Sequence, residues 1–80
     1  MRVPADLSGA ELVKALRAFG YEIVRQEGSH VRLSTEQGGQ HHLTIPNHRT
    51  LKQGTLRAIL KLAAAHHRLS VEAFIAALKL

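Results

Sequence analysis

Residues 28–46 read GSHVRLSTEQGGQHHLTIP, and the period of this stretch decides the fold. From His30 onward Val31, Leu33 and Thr35 fall on one face while His30, Arg32 and Ser34 fall on the other. Alternation of period two marks a strand with one face buried and one in water. Gln37-Gly38-Gly39-Gln40 is a hairpin turn whose glycines supply the positive φ that such turns need. Alternation resumes from His41 to Ile45, with His41, Leu43 and Ile45 on one side and Gln40, His42 and Thr44 on the other. Pro46 has no amide donor and is expected to end the pairing. The pattern predicts that His30 and His42 lie near one another on a single solvated sheet face.

The flanks supply what covers the other face. Upstream, Tyr21 to Gln26 carries aromatic and β-branched residues without a helical period and precedes a Glu27-Gly28 break, so it reads as a further strand. Before it, Ser8-Gly9-Ala10-Glu11 has the form of a capping box. Leu12, Val13, Leu16 and Phe19 follow at helical spacing, and Gly20 is placed to close the helix. Downstream of a loop over 47–54, Leu56, Ile59, Leu60 and Ala63 form a second apolar stripe with Arg57 and Lys61 outside it. Ser70 can cap a third helix in which Val71, Phe74, Ile75 and Leu78 are the buried positions. The order α-β-β-β-α-α implies an α+β two-layer sandwich: a three-stranded antiparallel sheet with helices on one face and water on the other.

Eighty residues make one domain, 1–80, and a chain this short buries only about 60% of its unfolded surface. With 45% apolar and 21% charged residues, it has the composition of a globular protein rather than a disordered tail. It has no cysteine, so disulfides and thiolate zinc sites are excluded, and a reducing compartment, the cytoplasm, is expected. No signal peptide or membrane span is expected from the apolar pattern. Eleven Lys and Arg against six Asp and Glu give a formal charge of +5, a field that draws polyanions.

Among candidate chemical groups His30 stands first, because an imidazole titrates at about pH 6.5 and can accept or donate a proton near neutrality. Ser29 and His30 are a poor nucleophile–base pair, since adjacent strand residues point to opposite faces. A metal site built from His30, His42 and His48 lacks the carboxylates or thiolates that usually complete one, and no metal or other cofactor is expected. The six carboxylates are scattered, which disfavours paired-acid catalysis. Gly38-Gly39 joins two strands and is no nucleotide loop. Lys52, Arg57 and Lys61 put several cations around one helix start, where open amides also attract phosphate.

Four blocks then occur in a familiar order: Leu7-Ser8-Gly9-x-Glu11-Leu12, Phe19-Gly20-Tyr21 through Gly28-Ser29-His30, Thr44-Ile45-Pro46-Asn47-His48, and Leu51-Lys52-x-Gly54-Thr55-Leu56-Arg57. Together they resemble the HicA-type toxins, also called YcfA-like mRNA interferases, over nearly the whole chain. The departures are Val31 where many members have a second histidine, a stretch after His48 about two residues shorter, and a longer end to the second helix. The resemblance implies a double-stranded-RNA-binding-like fold and the toxin of a type II toxin–antitoxin system. It further implies an endoribonuclease that cleaves mRNA and arrests translation, and inhibition by a HicB-type antitoxin. It makes His30 the catalytic histidine. Gly28, Ser29, Arg32, His48, Lys52, Arg57 and Lys61 are the expected substrate-binding residues, with no metal. A non-catalytic module that grips RNA by shape and phosphate contacts is the alternative.

Overall fold

The computed structural model describes residues 3–80. Helix α1 (Gly9–Leu16) starts where Ser8 makes both halves of a capping box. Ser8 Oγ accepts from the Glu11 amide at 3.0 Å, and Glu11 Oε1 accepts from the Ser8 amide at 2.9 Å. These bonds satisfy donors that every helix start leaves open, and donation by the Ser8 backbone amide, with its side chain second, holds the Glu11 carboxyl below its usual pKa range. One 3₁₀ turn, Arg17–Phe19, prolongs α1 and ends at Gly20, whose φ of 80° is left-handed.

Strands β1 (Glu22–Glu27), β2 (His30–Thr35) and β3 (His41–Pro46) form an antiparallel meander in the order β1-β2-β3. The alternation in β2 and β3 is obeyed: Val31, Leu33, Thr35, Leu43 and Ile45 are buried, while His30, Arg32, His42 and Thr44 are exposed. Three strand boundaries differ from expectation, the first being that β1 runs on through Glu27, which pairs with His30. β1 begins at Glu22 rather than Tyr21, because Tyr21 is drawn into the core and left only 1% exposed. Pro46, expected just past the strand, is instead the last residue of β3 and is paired opposite His30, and the next amide, Asn47, donates to the Ser29 carbonyl at 2.6 Å. The ladder thus passes the one residue that cannot donate.

Helix α2 (Gln53–His66) turns Leu56, Ile59, Leu60, Ala63 and Ala64 into the core. Helix α3 (Val71–Leu78) adds Phe74 and Leu78. Val71 and Ile75, expected to be buried, are only partly so, because α3 packs chiefly on α2 and forms the outer edge of the helical layer. Both α1 and α2 rest on β3. β1 is the strand this layer covers least, and all six of its residues are exposed. Ile23 lies opposite Leu33 on the helix-facing side and is still 48% exposed. β1 is also irregular: pairing shifts between Ile23 and Arg25, so Val24 is a bulge. Among the described residues no helix is long and apolar enough to cross a membrane.

Candidate active site

Glu27 and His30 pair directly, so Gly28-Ser29 is a two-residue turn between β1 and β2. Gly28 has φ of 56°, a conformation that side-chain-bearing residues adopt only with strain. The turn hands His30 to the first position of β2, exposed on the open face of the sheet. Across the ladder His30 faces Glu27 on one side and Pro46 on the other, and Arg32 faces Arg25 and Thr44. These residues line a shallow cleft of about 210 Å³: Arg25, Glu27, His30, Arg32 and Thr44. Arg25 is paired with Glu27, and both side chains are largely in solvent.

The Gly28-Ser29-His30 turn and the Pro46-Asn47-His48 loop, distant in sequence, meet through the bond from the Asn47 amide to the Ser29 carbonyl. The loop is itself anchored, because Gly9 donates to the His48 carbonyl at 2.9 Å and Leu51 to the Leu7 carbonyl at 2.8 Å. His48 and Lys52 are exposed along this end of the sandwich. Arg57 and Lys61 are exposed on α2, in the helical layer, and do not line the cleft that holds His30.

His42 is not a neighbour of His30. It pairs with Ser34, whereas His30 pairs with Pro46, so the two histidines share a face at opposite ends of the sheet. Four residues of strand amount to roughly 13 Å. Alternation assigns a face, but the position along it depends on register, which the hairpin turn sets. Among the described residues no group of three or more His, Asp or Glu side chains is gathered so as to hold a metal ion.

A second cluster, absent from the sequence reading, lies at the far end. His41 faces the helices and stacks on His66 with ring centroids 4.3 Å apart. Tyr21 Oη lies 2.7 Å from His41 Nδ1 and 3.1 Å from His67 Nε2. One hydroxyl proton cannot serve both rings, so Tyr21 donates to one and accepts from the other. Burial pushes the Tyr21 pKa up to about 12, which keeps that proton in place. Burial first, and then the neighbouring imidazoles, holds His41 and His67 below the ordinary histidine value. His66 Nε2 meets the carbonyls of Gln37 and Gly39, each at 3.0 Å, and so pins the β2–β3 turn to the end of α2. The only sequence hint was two doubled histidines, and the members that stack, His41 and His66, lie far apart in the chain.

Chemically, the cleft offers an exposed imidazole beside two guanidinium groups and a hydroxyl, an arrangement suited to proton transfer next to an anion. No curated protein and no solved structure matches the chain. The family model for the HicA toxin of bacterial toxin–antitoxin systems matches residues 9–64. That span runs from α1 into α2 and contains the cleft, the Gly28-Ser29-His30 turn and the loop bonded to it, so this chain belongs to the HicA toxin family and is the toxin of a toxin–antitoxin pair.

Proposed function

We propose that this toxin is an endoribonuclease that cleaves mRNA and thereby arrests translation, with His30 as its acid–base group. The observation that carries the reading is the placement of His30: exposed, at the mouth of a cationic cleft, in a member of a toxin family. His30 takes the proton of a ribose 2′-hydroxyl as O2′ attacks the adjacent phosphorus. The P–O5′ bond breaks, a 2′,3′-cyclic phosphate forms, and O5′ leaves with a proton drawn from solvent. Arg32 stabilises the charge that develops on the phosphate. Gly28 and Ser29 contact the substrate at the turn, His48 and Lys52 hold the strand where it leaves the cleft, and Arg57 and Lys61 add long-range attraction. The reaction uses no metal. A HicB-type antitoxin neutralises the toxin by covering the open sheet face.

The test compares wild type and His30→Ala for RNA degradation by pure protein and for growth arrest on expression. Wild type is expected to cut RNA in the presence of a chelator, and His30→Ala to fold normally and be inert. A substrate with 2′-deoxyribose at the cut site should resist. Cleavage of that substrate would refute the 2′-hydroxyl mechanism, and RNA binding without cleavage by wild type would make the protein a binding module.

A further inference from the structure

Regular alternation along β1 would carry Arg25 and Glu27 to the same side as Ile23, facing the helical layer. The bulge at Val24 reverses that phase. Glu22 and Ile23 pair with Ser34 and Leu33, but beyond Val24 the register advances by one, so Arg25 pairs with Arg32 and Glu27 with His30. Both charged side chains thereby join the open face, and both line the His30 cleft. Bulges recur beside active sites because they re-aim side chains in this way.

The result is unfavourable for the sheet alone. Two arginines directly opposite one another on adjacent strands repel. Arg32 makes no ion pair among the described residues, and Arg25 is partly neutralised only by Glu27. On the other flank Arg32 faces Thr44, which supplies a hydroxyl. Two guanidiniums, one hydroxyl and an imidazole converging on one shallow cleft match the oxygens of a phosphate better than they match each other.

We propose that the Val24 bulge builds a phosphodiester-binding site beside His30, in which Arg25 and Arg32 clamp one backbone phosphate of RNA and Thr44 adds a hydrogen bond. Glu27 is the resident anion: it holds Arg25 in the absence of RNA and yields it to the phosphate. The site rests on the reading of this face as the RNA-handling surface, but it does not depend on cleavage.

The experiment measures binding of a uniformly 2′-O-methylated oligoribonucleotide, which has no 2′-hydroxyl to react, by the full chain at several salt concentrations. Arg25→Ala and Arg32→Ala are each expected to weaken binding about tenfold and to lower the salt slope by about one. The melting temperature of Arg32→Ala should equal or exceed that of wild type, because it removes a like-charge pair and breaks no ion pair. Glu27→Gln should strengthen binding about threefold, by removing the competing carboxylate. Glu22→Gln, on the same face beyond the bulge, is the control for bulk charge and should leave affinity unchanged. Wild-type affinity in Arg25→Ala, or equal strengthening by Glu22→Gln and Glu27→Gln, would overturn the site. Loss of binding in Arg25→Ala from a wild type that cuts no RNA would uphold the site while refuting the nuclease. Cleavage with unchanged binding in Arg25→Ala would do the reverse.

Discussion

Gly9 at the start of α1 lies so close to the carbonyl oxygen of Pro46 at the end of β3 that a Cβ on Gly9 would overlap it. The obstacle is backbone, which cannot swing aside as a side chain can. Pro46 in turn stands opposite His30. The close approach therefore seats α1 against the end of the sheet that carries the cleft. Gly9→Ala is expected to destabilise the fold by about 1–3 kcal/mol, as overpacking does, and chemical denaturation would measure it. A variant as stable as wild type would mean that α1 can slide away from β3.

Thr35, 2% exposed, buries its hydroxyl beneath the sheet. Its hydroxyl donates to the Phe19 carbonyl at 2.7 Å and accepts from the Gln37 amide at 3.1 Å, joining the 3₁₀ turn to the β2–β3 hairpin. Thr35→Val keeps the shape but strands both partners, and should cost about 1–3 kcal/mol. The loss should appear in the denaturation midpoint with little change in its slope.

Acid should weaken the fold through His41 and His67. Both are held below the ordinary histidine pKa in the folded chain, by burial and by neighbouring imidazoles. Unfolding returns them to about 6.5, so below that pH the unfolded chain binds protons that the folded chain refuses. Their contribution is intact above about pH 6.5 and is lost as the pH falls through the folded values. Melting temperature should therefore drop between pH 7.5 and 5, and His41→Gln with His67→Gln should flatten that dependence. An unchanged slope in the double variant would assign acid sensitivity elsewhere.

Distance from the cleft should separate two kinds of cation. Arg57 and Lys61 project from the helical layer, whereas Arg32 lines the cleft. Lys61→Ala should weaken RNA binding only a few-fold, mostly at low salt, and leave single-turnover cleavage unchanged. Arg32→Ala should lower both. Equal effects on the cleavage step would place the substrate across the helices instead of the sheet.

The faces of β2 and β3 and the solvated position of His30 were legible in the residues, because a strand with one wet face must alternate. The capping box, the apolar stripes of α1 and α2 and the turn glycines were equally readable, since each depends on groups within a few residues of one another. Where His42 lies along the face was not, nor was the meeting of Tyr21, His41, His66 and His67, because both depend on how distant segments register and pack.

Local patterning alone therefore determined that this chain is an α-β-β-β-α-α sandwich with an imidazole on its open face. Tertiary structure decided what surrounds that imidazole. Pairing with β2 inserts one unmatched residue, Val24, and that single step turns Arg25 and Glu27 from the helix-facing side to the His30 side. The period of a strand is two, so one extra residue exchanges its faces, and only the partner strand can show that the extra residue is there.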